Sequence, residues 1–431
     1  MNNPEISVGI LSATRIEFIL DGEFNFEGRT YAGKHQIEYA DGKILFDGQP
    51  FDKVQLIPKS ENSIFTLLDV VIGIGFHWER TENQRFEGKL ELIVEGEKIT
   101  AINRIPIESY LISVISSEMS ATSSLELLKA HAVISRSWML SQIEKKNNLE
   151  QSNTAYTSDT RTETEWIKWW DREDHANFDV CADDHCQRYQ GITRASTSLE
   201  AVKAAVNSTH GILLTFDGKI CDARFSKCCG GAVEEFDNCW EPVKHPYLTK
   251  LYDNSNGVLP NLSVNANAEE WIRTSPEAFC NSKEAEVLSQ VLNNYDQETA
   301  DFYRWKVEYT TKQITDLAKR KIGVDFGEIQ ELLPLERGTS GRILRLKVVG
   351  KLKTLILGKE LLIRKAFSES HLYSSAFVVD KTSSGFVLTG AGWGHGVGLC
   401  QIGAAVMAHK GYSYNEILNH YFPNALVQKI Y

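Results

Sequence analysis

Six short runs rich in β-branched residues, cut apart by Asp-Gly and Glu-Gly pairs, fill the first hundred residues and leave that stretch little choice but β structure. They read SVGILSA, RIEFILD, ILFD, KVQLIP, KLELIVEG and ITAI. Asp-Gly between such runs suits a two-residue hairpin turn, where both central residues take positive φ. The period then changes. In IPIESYLISVISSEM (105–119), Ile107, Tyr110, Leu111, Val114 and Ile115 recur at helical spacing, and Pro106 suits the first turn.

A second helix follows in LELLKAHAVISRSWMLSQIEKK, with Ser123 and Glu126 as its capping box. Its buried stripe is Leu127, Ala130, Ile134 and Trp138, and Lys145 and Lys146 suit its C-terminal end. Residues 146–180 read as a loop-rich excursion. TSLEAVKAAVNSTHGILLTFDGKI reads as a helix, a stop at Gly211, and a strand entering an Asp-Gly turn. Two or three helices are expected between about 265 and 324. Strands return in GRILRLKVVG, LKTLILG and AFVVDKT, and a glycine-rich tail ends in two short helices.

The fold class is therefore α+β. The expected division is a β-rich region at 1–100 and a core at 101–260 that carries the helix of 105–119 and the histidine–cysteine segment 175–186. A helical and β subdomain follows at 261–350, and 351–431 supplies strands and a glycine-rich segment returning to the core.

The chain of 431 residues has 46 basic and 57 acidic side chains, a net charge of -11. That balance argues against a nucleic-acid partner, which wants a basic face. Basic patches at 319–321 and 342–353 read as solvated surface. The longest apolar stretch, 67–76, falls short of the roughly 18 residues that a membrane span needs. The opening MNNPEISVGIL has no basic segment, apolar run and cleavage site in order, which leaves a cytoplasmic protein or a mature domain without its leader.

Glu118 stands out chemically. Continuing the apolar stripe of its helix lands on Glu118 and Met119, while Glu108, Ser109, Ser113, Ser116 and Ser117 supply a polar face. A carboxyl facing an apolar cleft has its pKa raised by desolvation, which suits a general acid. The bland alternative is a solvated helix end. Next, HANFDVCADDHC brings His175, Cys181 and Cys186 close in sequence, with Asp183 and His185 beside them. One imidazole and two thiolates suit zinc; a disulfide or unlinked core thiols are the alternatives.

Six of the eight cysteines lie between 181 and 239, and Cys228 and Cys229 are adjacent. A disulfide from one of these two to Cys221 or Cys239 is open in an oxidising compartment. Gly230 and Gly231 permit close backbone approach to a ligand, or a tight turn. In GWGHGVGLCQIGAA, glycines alternate with Trp393, His395, Val397 and Leu399, so the segment packs tightly or lines a groove. There Trp393 offers a face to a sugar, His395 can approach a substrate, and Gln401 can hydrogen-bond hydroxyls.

These segments together resemble the sporulation stage II protein D (SpoIID/LytB domain) family. The resemblance lies in NRIPIESYLISVISSEM with SLELLKAHAVISRSWML, in FDVCADDHCQRYQG, in the stretch from Ala223 to Pro246, and in GWGHGVGLCQIGAAVMAHKGYSYNEILNHYFP. It covers nearly the whole chain. It implies a SpoIID-like fold and a lytic transglycosylase acting on peptidoglycan glycan strands stripped of stem peptides, with Glu118 as catalytic acid. It also implies a zinc held by His175, Cys181 and Cys186, taken here as structural. The groove would be lined by Tyr110, Trp393, His395 and Gln401, with Gly230, Gly231 and Arg136 as further substrate contacts. Arg136 suits a substrate carboxylate or a buried acid.

The alternatives are a glycan-binding protein that enhances a wall amidase, and a structural partner in a wall-remodelling complex. The substrate places the protein outside the cytoplasm. Departures from the family pattern are Ser113, His131, Ile134-Ser135, Trp138 and the double cysteine. Of these, His131 is expected to alter the groove.

Overall fold

The computed structural model describes residues 3–73, 79–120, 123–149, 157–169, 175–183, 186–192, 199–291 and 301–431. The fold is a mixed α+β arrangement of several sheets and helices. Two compact units each draw on non-consecutive stretches: 1–143, 174–212 and 429–431 in the first, 144–173 and 213–428 in the second. The consecutive boundaries expected at 100, 260 and 350 do not coincide with them. No helix among the described residues is long and apolar enough to cross a membrane.

The first unit is built on an eleven-stranded sheet. The hairpins close as their sequence demands. Glu27-Gly28, Asp41-Gly42 and Asp47-Gly48 each place both residues at positive φ, between 47° and 79°. The pair Asp21-Gly22 behaves differently. It sits inside the strand Arg15–Phe26, where the register slips between Leu20 and Phe24, and makes a bulge rather than a turn. Phe18, Phe24, Phe46, Phe65 and Phe86 are fully buried in this unit, each contributing about 1.5–3 kcal/mol by leaving water.

The strand Lys98–Pro106 runs straight into helix α1 (Ile107–Glu118), whose first N–H is taken by the Pro4 carbonyl at 2.8 Å. Helix α2 (Leu125–Leu149) starts with the Ser124 hydroxyl accepting from the Leu127 N–H. Helix α3 (Leu199–Ser208) packs on α1 and is followed by Gly211 at φ 69° and the strand Ile212–Phe216, as the sequence reads.

In the second unit a five-stranded sheet runs 159–161, 165–168, 354–358, 343–350, 329–337, and a three-stranded one runs 304–310, 385–391, 377–381. Part of the expected loop at 146–180 is thus a hairpin, Asp159–Arg161 with Glu165–Lys168, which extends the larger sheet. Helices Thr311–Ile322 and Glu360–Ala366 help close a core that includes Trp305, Ile314, Phe326, Leu346, Leu357 and Phe367.

Candidate functional site

Helix α1 is covered almost all round. Its apolar stripe is fully buried, and so, against expectation, are the polar positions Glu108, Ser113 and Ser117. The reason lies in Arg136, itself 0% exposed. Its Nε and Nη2 donate to the two Glu108 oxygens at 2.9 and 2.6 Å, and Nη1 donates to the Ile212 carbonyl at 3.1 Å. Tyr431 donates its hydroxyl to the same carboxylate at 2.8 Å. Arg136 therefore holds a buried acid and presents no donor to a ligand. His131 is equally buried, with Nδ1 3.2 Å from the Ser135 hydroxyl, so it shapes the α2 packing rather than a groove.

Tyr110 is also wholly enclosed. It stacks on Tyr189 at 5.1 Å, and its hydroxyl donates to Gln187 at 3.4 Å. Burial, with Cys186 and Cys181 nearby, pushes its phenol well above its ordinary range. It supports the helix from beneath instead of lining a surface.

Glu118 differs from Glu108 in being only half-buried, as Ser109, Ile112 and Ser116 also are. It is the last helical residue, and the Met119 N–H closes the turn below it onto Ile115. No hydrogen bond or ion pair from the described residues reaches its carboxylate. The two acids of α1 thus differ in kind: Glu108 is locked to an arginine, Glu118 is left available.

The strand Val180–Cys181 runs parallel to the first strand, pairing with Val8 and Gly9. A Cβ at Gly9 would stand 2.6 Å from the Phe178 ring, so only glycine lets this segment lie so close. The Asp179 carboxylate accepts from the Ser7 N–H and hydroxyl at 2.8 and 2.7 Å, which fixes the strand's register. His175 stacks on Phe178, and its Nε2 lies 3.6 Å from the Cys186 sulfur. Donor atoms of His175, Cys181 and Cys186 all fall within 4.8 Å of one another. A zinc tetrahedron with Zn–N about 2.1 Å and Zn–S about 2.3 Å has an N–S edge of about 3.6 Å, so the set fits that ion. His185 lies outside the described residues.

In the second unit the glycine-rich segment is a packing device. Gly392, Gly394, Gly396 and Gly398 all have φ between 74° and 94°. A Cβ at Gly396 would meet the Arg342 guanidinium at 2.3 Å, and one at Gly398 the Arg224 carbonyl at 2.1 Å. The segment bridges to 224–228 through Trp393–Cys228 and Leu399–Phe225 pairing. Gly230 and Gly231 are buried in the same contact, and the Gly230 carbonyl accepts from Trp271 and Arg304.

Gln401 is buried at the start of the helix Gln401–His409. Trp393 and His395 keep partial exposure. The indole stacks on Phe302 and meets Tyr373 edge-on. The His395 Nδ1 accepts from the Val397 N–H at 3.0 Å, and burial, reinforced by Arg224 and Arg342, holds its pKa well below 6.5.

A family model described as "Stage II sporulation protein" matches residues 95–216, which span α1 through α3. A second, described only as a domain of unknown function, matches 234–398. Stage II sporulation protein D of Bacillus subtilis is 22% identical over 76% of this chain and 76% of its own length. The Bacillus subtilis amidase enhancer is 24% identical over 72% of this chain and 39% of its length, and an uncharacterized Brachyspira hyodysenteriae protein is 25% identical over 78% and 70%. The likeness is therefore to the SpoIID/amidase-enhancer family, by a family model over 95–216 and by relatives 22–24% identical.

The matched stretch 95–216 contains α1 with Glu118 at its end and the three donors His175, Cys181 and Cys186 beside the first strand. One cluster escaped the sequence. Cys229, Cys280, Cys400 and Asp253 converge in the second unit, fully enclosed. All eight cysteines are free thiols, and Cys229 stands with Cys280 and Cys400 rather than with the nearer Cys221 or Cys239. Crowding in sequence pointed to the wrong neighbours; the double cysteine was the one usable signal.

Proposed function

We propose that this protein binds bacterial cell-wall glycan strands outside the cytoplasm and acts beside a wall amidase. The observation that carries this reading is the match of about three quarters of the chain to stage II sporulation protein D and to a protein named amidase enhancer. A zinc held by His175, Cys181 and Cys186 would brace the segment 175–186 against the first strand. The partly exposed Trp393 is the sugar-facing candidate in the second unit. The test is co-sedimentation with purified peptidoglycan, before and after stem-peptide removal, alongside amidase rates with and without the protein. Retention on the strands with faster amide cleavage is expected; no retention on either substrate sinks the reading.

Glu118, which no described residue pairs, favours a second, finer reading: a lytic transglycosylase. A protonated Glu118 would donate to the oxygen leaving C1 of N-acetylmuramic acid. Its conjugate base would then take the proton of the muramyl 6-hydroxyl as that oxygen bonds to C1, giving a 1,6-anhydro end without a water nucleophile. Mass analysis of strand ends, with wild type and Glu118→Gln, decides it. Anhydro ends lost in the variant are expected of the enzyme; binding without new ends leaves the amidase partner alone.

A further inference from the structure

The second unit carries a buried carboxylate that no lysine or arginine among the described residues neutralises. Asp253 is 0% exposed. Its Oδ1 accepts from the Tyr421 hydroxyl at 2.6 Å, and its Oδ2 from the Cys280 N–H at 2.9 Å. Its only ion-pair candidate there is His420, whose Nε2 lies 3.9 Å from Oδ1 and is buried without a hydrogen-bond partner. An ionised acid so placed is costly unless a cation meets it. Around it stand three enclosed sulfurs from segments far apart in sequence, those of Cys229, Cys280 and Cys400.

We propose that Cys229, Cys280, Cys400 and Asp253 form a second, structural metal site for a zinc-class ion. The donor atoms all lie within 4.8 Å of one another. The Cys229 and Cys280 sulfurs are 3.6 Å apart, beside an S–S edge of about 3.8 Å for tetrahedral zinc thiolate. Three thiolates and one carboxylate make a closed set of the kind that structural sites use.

The surroundings of Cys400 suit a thiolate. Cys400 sits at the N-terminal end of the helix Gln401–His409, where the backbone dipole favours negative charge, and its sulfur accepts the Cys229 N–H at 3.2 Å. Gly403 in that helix cannot carry a side chain: a Cβ would stand 2.7 Å from the Asp253 Oδ1. A disulfide between any two of the three sulfurs would leave the carboxylate with its two hydrogen bonds but without a cation. A divalent ion answers all four at once and ties the segments around 229, 253, 280 and 400 together. Loading releases the thiol protons and transfers no electrons.

The test uses the full chain purified under reducing conditions and loaded with zinc chloride, with metal measured by plasma mass spectrometry after desalting. Wild type is expected to hold two equivalents. Cys181→Ser/Cys186→Ser, which removes the other donor set, is expected to keep one, and Cys280→Ser added to that background is expected to keep none. Because Cys280→Ser can also weaken folding, cobalt(II) loading of the Cys181→Ser/Cys186→Ser protein gives an independent readout. Thiolate-to-cobalt charge-transfer absorption with tetrahedral bands is expected. Absence of bound metal in that protein, or non-reduced peptides showing Cys229 joined to Cys280 in the loaded form, overturns the proposal.

Discussion

At the scale of single residues, two glutamates ten positions apart on one helix show what decides a side chain's part. Glu108 lies one position from the apolar stripe and is drawn in by Arg136, which reaches it from α2. Removing one member of a buried pair leaves the other uncompensated, so Arg136→Ala is expected to destabilise the first unit by about 3–5 kcal/mol. Urea unfolding followed by circular dichroism checks it; a loss below about 1 kcal/mol would show that the pair contributes little. Sequence periodicity named Glu118 but misassigned Glu108 to solvent, because a buried ion pair needs a partner from another helix, which no single-helix pattern reveals.

Two histidines of the second unit set a pH dependence. Burial holds His371 at about 4 and His395 well below 6.5, each reinforced by nearby cationic side chains. In the unfolded chain both return to about 6.5, so between that pH and about 4 the unfolded state binds more protons. Stability is then complete above pH 6.5 and falls as pH drops through this window. Each histidine adds up to about 1.4 kcal/mol per pH unit to the slope. Unfolding midpoints from pH 7 to 5 should show the fall, and His371→Asn should flatten it by up to that amount. An unchanged slope in the variant would remove His371 from the account.

Among the elements, legibility followed local chemistry. Runs with β-branched residues and Asp-Gly ends were readable because side-chain alternation and turn φ angles are written within a few residues. The strand Arg29–Ala40 was not: it is mostly exposed and polar, and it exists because Arg15–Phe26 offers its edge. The hairpin Asp159–Arg161 with Glu165–Lys168 likewise depends on a parallel pairing to 354–358 that no local pattern announces. The glycine alternation at 392–398 was visible, but two meanings fit it until neighbours were known.

Those neighbours make a quantitative contrast between glycines. Gly42 has φ 79° and nothing within 4 Å of an added Cβ, so Gly42→Ala should cost only the strain of that conformation, about 1–2 kcal/mol. Gly396 has φ 77° and the Arg342 guanidinium 2.3 Å away. Gly396→Ala must also displace a buried arginine held by the Gly394 carbonyl and the Ser340 hydroxyl, so it should cost clearly more. Paired denaturation curves test the order. Equal losses would mean that the Arg342 side chain yields freely.

For the whole molecule, the net charge of -11 constrains how the proposed glycan strand would be held. Muramic acid carries a lactyl carboxylate, so protein and denuded strand repel at long range. Affinity must come from short-range contacts: hydroxyls against polar groups, and sugar faces against aromatic rings. Salt shortens the reach of repulsion, to about 8 Å near 0.15 M. Binding to denuded strands should therefore hold constant or tighten as sodium chloride rises from about 0.01 to 0.15 M. A phosphate-backbone binder does the opposite, losing affinity steeply over such a range. Kd by calorimetry or polarisation on size-defined strands, at fixed pH 7.5, separates the two. A Kd that weakens steadily with salt would mean that local basic patches, such as 319–321 or 342–353, hold the carboxylates directly. The short-range account would then give way to an electrostatic one.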